Sequence, residues 1–450
     1  MRFSLLPAIL FTASMSWAAP GPVSFPKPEI QQWELPNGLK VIYMGVHKTP
    51  LVTVQVWYHA GSKDEPPNRR GSAHMFEHIM FRGTERVPPE EHARLLDKIG
   101  GKVNAFTTED MTCFHDTVPP QYLDFALELE AERMQHLLFL KDIIDTEREV
   151  VKEEIRQREN NPIARALVKF RELAFTRHPY AWDAGGRIED LDKTTPEDLE
   201  KFYRTYYQPN NAAVIVVGDV SRDDVEQSVK KWFGAIPRSQ DPPRPADALR
   251  EPEQKAQVSK TMDPAQIGIV IEGYKIPAAR DKDIPALEVL STILSGGDSA
   301  RLHQRIVRKD KVGVFTGSFI DAKEHPSLLL IFGAHLAMEQ GQKVKDDLLD
   351  EVEKLQRSMV DEKELTKAKN QLAAKFVFNL QNVSSIAYQI GRSWIYTNDA
   401  GSWLDEYEKL MSVSRADVQR VAKKYLTPQR LTLVSVPPGG AKAQEKGGAK

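Results

Sequence analysis

The spacing of apolar residues divides the chain into elements before any chemistry is considered. Trp33 to Gly45 (WELPNGLKVIYMG) sets apolar stretches on either side of Pro36-Asn37-Gly38, which predicts a hairpin. LVTVQVWYHAG, from Leu51, alternates as a strand does. Helical spacing follows from about His74, and again from about Asp145 to Arg171. Further on, QIGIVIEGYKI reads as a strand, and helices are predicted near Pro285 to Leu294, Gln340 to Gln356 and Glu362 to Tyr388. Strand runs separated by helix pairs predict an α+β fold, with an antiparallel sheet covered by helices on one face.

The pattern occurs twice. TTPEDLEKFYRTYYQPNNAAVIVV, from Thr194, aligns without gaps on VSRADVQRVAKKYLTPQRLTLVSV, from Val413, at a constant offset of 219. Thr195 and Ser414 are both predicted helix N-caps with an acid three residues on, and a proline stops each helix before a β-rich run. The chain therefore reads as two homologous domains, residues 28–236 and 257–436. Between them, 237–256 is rich in proline and charge and reads as a linker, while 437–450 (PPGGAKAQEKGGAK) has nothing to bury and reads as a disordered tail.

Composition narrows the function. Of 450 residues, 61 are Lys or Arg and 63 Asp or Glu, so a net charge of -2 gives no global pull towards nucleic acid or an anionic membrane. The single cysteine, Cys113, excludes an intrachain disulfide or a multi-cysteine metal site and reads as a packed thiol. The first 18 residues have an apolar run from Phe3 to Phe11 and a small-x-small pattern at Ser16-Trp17-Ala18. They read as a signal peptide cleaved near Ala18, which places the product in an exported, periplasmic location. No later stretch reaches membrane-spanning length.

The sharpest chemical signal is HMFEH. On a helix His74 and His78 lie one turn apart on one face, with Glu77 beside them, so two imidazoles reach one ion and a carboxylate stands next to it. That is the inverted zincin pattern, H-x-x-E-H. A catalytic zinc needs a third ligand, and the candidates lie in TEREVVKEEIRQREN: Glu147 and Glu154 share a helix face, with Glu153 rotated away by about 100°. Spacing alone does not choose between Glu153 and Glu154.

These motifs make the chain resemble the pitrilysin and insulinase family of inverted zincins, in the branch of mitochondrial processing peptidase and its bacterial relatives. Members pair H-x-x-E-H with E-R-x-x-V-x-x-E, present here from Glu147-Arg148 through Val151 to Glu154. The resemblance implies one Zn2+ per chain held by His74, His78 and Glu154, with Glu77 as general base and Glu147 orienting the site. It also implies that Asn104 and Ala105, in GGKVNAFTTEDMT, meet the substrate backbone. The implied activity is a zinc metalloendopeptidase acting on unstructured peptides, each chain forming half of a peptide-enclosing clam-shell. A non-enzymatic peptide-binding or scaffold subunit is the alternative. At the repeat offset the metal-site residues fall on Ile293, Gly296, Gly297 and Ala373, so the second half cannot build the same site. Active members also draw an Arg and a Tyr, seven residues apart, from a C-terminal half. The matching positions here are Val307 and Val314, or Arg308 and Phe315 after a shift of one. That departure implies a heterodimer in which a homologous subunit supplies the missing pair.

Overall fold

The computed structural model describes residues 27–245 and 249–439. The expected signal peptide and residues 440–450 of the expected tail lie outside the described residues. Residues 437–439, expected to be disordered, are instead paired: Ala265 donates its N–H to the Pro437 carbonyl at 2.9 Å, and Pro438 is buried beside it. Two sheets carry the fold. The first has six strands, β1 (Gln31–Glu34), β2 (Lys40–Gly45), β3 (Val52–Tyr58), β4 (Lys102–Thr107), β5 (Thr112–Val118) and β6 (Ala212–Gly218), in the order β1-β2-β6-β3-β5-β4. The second has five, β7 (Val258–Thr261), β8 (Gly268–Ile276), β9 (Phe315–Asp321), β10 (Ser327–His335) and β11 (Leu431–Val436), in the order β7-β11-β8-β10-β9. Pairing is antiparallel except for one parallel pair in each sheet, β2 with β6 and β7 with β11. The last strand of each half returns from a long helical excursion and inserts beside the first strands, which fixes its direction.

Helices of the first half are α1 (Ser72–Ile79), α2 (Glu91–Lys98), α3 (Leu123–Gln135), α4 (Lys141–Glu159), α5 (Pro162–Ala174), α6 (Ile188–Leu191), α7 (Pro196–Tyr206) and α8 (Arg222–Phe233). Those of the second are α9 (Ile284–Ser295), α10 (Gln340–Arg357), α11 (Glu362–Asn379), α12 (Val383–Thr397), α13 (Glu406–Ser412) and α14 (Arg415–Tyr425). The repeat is exact where the alignment places it: α7 and α14 share the offset, and each starts with a capping box, Thr195 with Asp198 and Ser414 with Asp417. Two helices expected as continuous are divided. Asn161 caps a new helix by accepting the N–H groups of Ile163 and Ala164, with Pro162 at its first position, and Asn382 caps α12 by accepting the Ser385 N–H.

The expectation of helices on one face only is corrected by the packing. One face of the first sheet meets α1, α3, α7 and α8 through Val54, Val56, Phe114 and Val214. Its other face, with Ile42, Trp57, Ala213 and Ile215, is covered by Ile386, Ile390 and Trp394 of α12, a helix of the second half. The converse holds too: Ala166, Phe170 and Ala174 of α5 lie on Ile269, Ile271, Leu330 and Val434 of the second sheet. Strands β3 and β6 are accordingly buried at every position. At about 1.5–3 kcal/mol per fully buried large apolar side chain, these exchanged faces are a major part of what joins the halves.

Candidate metal centre

Helix α1 presents His74, Glu77 and His78, and α4 crosses it with Glu147 and Glu154 two turns apart. His74 Nε2 is 3.5 Å from Glu154 Oε2, and His78 Nε2 is 3.7 Å from Glu154 Oε1. The ligand atoms of the three residues all lie within 4.8 Å of one another. Two donors on one tetrahedral zinc at ordinary bond lengths stand about 3.3 Å apart, so the grouping fits that ion with small adjustments. Glu153 faces elsewhere and pairs with Arg156 at 3.3 Å.

A buried carboxyl group stands behind His78. Glu147 is buried, its Oε2 accepts from His78 Nδ1 at 3.3 Å, and its Oε1 forms an ion pair with Arg82 Nε at 2.8 Å. Engaging Nδ1 leaves Nε2 of His78 turned towards Glu154, the arrangement that sets the tautomer and raises the basicity of a metal-binding imidazole. Burial raises the Glu147 pKa, but His78 and Arg82 outweigh it and hold the carboxyl below the usual range. Burial, followed by the His78 and Arg158 charges, lowers His74 to about 4, so it is neutral and free to donate a lone pair at physiological pH. Glu77 moves upward, mainly because it is desolvated, with Thr107 and the His78 charge opposing the rise.

The centre opens into a cavity of about 320 Å³ lined by His74, Glu77, Thr107, Arg158, Arg171 and Asp183. Thr107 ends β4, the edge strand of its sheet. Asn104 is exposed on that edge, and Ala105, which donates its N–H to Asn104 Oδ1 at 2.8 Å, is buried. The free edge of β4 therefore runs straight into the cavity. Cys113 is buried on the neighbouring strand β5.

Three contributors were not singled out from the sequence. Arg158 follows Glu154 by one turn of α4, a spacing that places both on one face, whereas Arg82 lies three residues past the end of α1 and reaches Glu147 from the following loop, where helical spacing does not apply. Arg158 pairs with Asp183 at the cavity wall. The third, Glu65, meets the start of α1 from outside the helix and leaves no periodic trace in the sequence. A further grouping, His92, Asp116 and Glu130, is sealed in the core, where the Arg133 guanidinium pairs with Glu130 and supplies the positive charge. Among the described residues no such grouping occurs in the second half. Ile293 lies in α9, Gly296 caps its end, and Ala373 lies in α11. No helix of the described residues is long and apolar enough to cross a membrane.

Comparison with known proteins agrees with this division. Residues 40–181 match the family model described as insulinase (peptidase family M16), and residues 193–372 match that of the peptidase M16 inactive domain. The chain is similar to the zinc protease PqqE of Helicobacter pylori, 31% identical over 415 residues, covering 91% of this chain and 93% of that one. It is also similar to a probable mitochondrial-processing peptidase subunit beta of Arabidopsis thaliana, 26% identical over 430 residues, covering 91% of this chain and 79% of the relative. Among solved structures, a protease from Helicobacter pylori superposes with a TM-score of 0.86 at 31% identity, over 91% of this chain and all of that one. The periplasmic protease PqqL of Escherichia coli shares the fold, with a TM-score of 0.76 at 18% identity over 93% of this chain and 48% of that protein. With a relative this similar along nearly its whole length, the chain belongs to the insulinase family, peptidase family M16, a family of zinc proteases.

Proposed function

We propose that this protein is an exported zinc endopeptidase that hydrolyses unstructured peptides and works as the catalytic subunit of a heterodimer. The observation that carries the reading is the convergence of His74, His78 and Glu154 with Glu77 left over beside them. Three protein donors suit a catalytic zinc, and Glu147 supplies the orienting bond such sites use. When bound, zinc supplies the Lewis acidity that polarises a scissile carbonyl and an attacking water.

Glu77 takes the proton from that water on its carboxylate and passes it to the departing amide nitrogen, a double role that its upward pKa shift favours. The edge of β4 at Asn104 and Ala105 binds the substrate backbone by strand addition. Main-chain pairing tolerates many side chains, so specificity is loose. A scaffold subunit would have no use for Glu77, which disfavours the non-enzymatic alternative.

The partner requirement rests on what the second half lacks. Val307 lies in the π-helix His303–Lys309, Val314 is exposed just before β9 and Phe315 is exposed at its first position; as valine and phenylalanine, none carries a phenolic hydroxyl to offer a substrate. A homologous companion with an intact Arg and Tyr completes the site across the interface. Export is supported by the apolar leader and by the periplasmic protease that shares the fold. The test is a peptidase assay of the zinc-loaded chain alone and after mixing with such a companion. Activity that appears or rises on mixing supports the heterodimer, whereas full activity alone with no rise overturns it. No cleavage in either arm, with zinc bound, overturns the enzymatic reading.

A further inference from the structure

Helix α1 is poorly equipped to start on its own. It has eight residues, its N-cap Gly71 sits at φ 97° with no side chain to offer, and its first turn holds no acid. A helix so short is unstable in isolation, and its first N–H groups need acceptors from elsewhere. Glu65 supplies two: its Oε2 accepts the Gly71 N–H at 2.9 Å and its Oε1 accepts the Ala73 N–H at 2.8 Å. The carboxyl group is buried, with the residue only 5% exposed, and burial pushes its pKa up to about 8 against the pull of the two N–H bonds.

The segment that carries Glu65 is held in turn from the other half. The Lys63 ammonium, fully enclosed, lies 3.3 Å from Glu324 and 3.6 Å from Asp110. Asp110 Oδ2 accepts the Glu324 N–H at 3.1 Å. Asp64 accepts the Gly61 N–H at 3.0 Å and Arg244 Nη1, from between the halves, at 2.8 Å. Trp182 Nε1 donates to the Ser62 carbonyl at 3.1 Å.

We infer that Glu65 is a positioning residue for the metal centre: it clamps the start of α1 and carries to it the placement that Glu324 of the second half imposes on residues 61–65. The half without metal residues thereby acts on the metal helix. This rests on the reading of His74, Glu77 and His78 as the metal centre.

The experiment measures zinc affinity by chelator competition, together with thermal unfolding, on the full chain carrying Glu65→Ala, Glu65→Gln, Glu324→Gln or His74→Ala. Gly391→Ala, far from α1 in sequence and destabilising for a separate reason, is the control for stability loss alone. Glu65→Ala is expected to weaken zinc binding at least tenfold. Glu65→Gln, which keeps one acceptor oxygen, should fall between it and the parent, and Glu324→Gln should shift affinity about two- to fivefold the same way. Where peptide turnover is measured, kcat should fall with KM within about twofold. Parental zinc affinity in folded Glu65→Gln and Glu324→Gln overturns the inference, as does an equal loss in Gly391→Ala. If Glu65→Ala does not fold, Glu65→Gln decides. Retention of zinc by His74→Ala would instead overturn the metal-centre reading itself.

Discussion

Gly391 of α12 lies flat against the indole of Trp57 in β3, so closely that a Cβ there would fall 2.1 Å from Trp57 Cε2. The mirror contact exists in the other half, where a Cβ on Gly273 of β8 would meet the Phe170 ring of α5 at 2.2 Å. Both glycines are absences that an aromatic ring of the opposite half occupies. Gly391→Ala and Gly273→Ala should each destabilise the protein by about 1–3 kcal/mol through overpacking. Urea or thermal unfolding measures this, and unchanged midpoints would mean that the exchanged helices pack more loosely than described.

Glu77→Gln removes the proton acceptor while keeping size and shape. Bound zinc should be unchanged and peptide cleavage should fall by about 10²–10⁴-fold. Metal analysis beside a peptidase assay separates the two effects. Undiminished turnover in a zinc-replete variant would remove Glu77 from the role of base.

Glu154 and Glu153 make a one-residue contrast. Glu154→Gln should strongly lower zinc content, whereas Glu153→Gln, which loses only its contact with Arg156, should not. Glu147→Gln should weaken zinc by about 10–100-fold through the orientation of His78. A reversed result for the first pair would shift the site along α4.

The seam between the halves should respond to acid. Burial alone would raise Glu109, but Lys323 of the second half and Arg171 overcome it and hold the carboxyl at about 2. Glu251 is likewise brought to about 2, against burial, by Lys275 of the second half and by the N–H groups of residues 176–178 of the first. Both folded pKa values lie below the ordinary 4.5, so their stabilising contribution is complete above that value and is lost as pH falls from 4.5 towards 2. The stability curve should drop in that window, and Lys275→Met should lower stability at neutral pH while flattening the drop. Unfolding midpoints measured across the window check it, and an unchanged slope in Lys275→Met would count against the stitch.

Much of the site was legible because helical geometry links sequence spacing to space. His74 and His78, or Glu147 and Glu154, need no tertiary information to share a face. The choice of Glu154 over Glu153 needed more, since the approach of α1 selects between neighbours about 100° apart. The repeat was legible through Thr195 and Ser414, whose capping is a local interaction. The exchange of α5 and α12 was not. An apolar stripe such as Phe170 with Ala174 announces that a face is covered and carries no record of which sheet covers it. Glu65 escaped for a related reason, as its partners are backbone N–H groups, which every sequence possesses.

The exchange of α5 and α12 also sets an order of events at the ribosome. By the time residue 218 has emerged, every strand of the first sheet and both helices of the proposed metal centre have been made, yet the Trp57 face remains bare. Its cover, α12, ends at Thr397, nearly 180 residues later. At about 5–20 residues per second, that leaves a nascent chain with an open apolar sheet for roughly ten seconds or more. During that interval a holdase has a surface to grip, and a truncated message ending between the halves yields a fragment that carries its chemistry but cannot bury its own back.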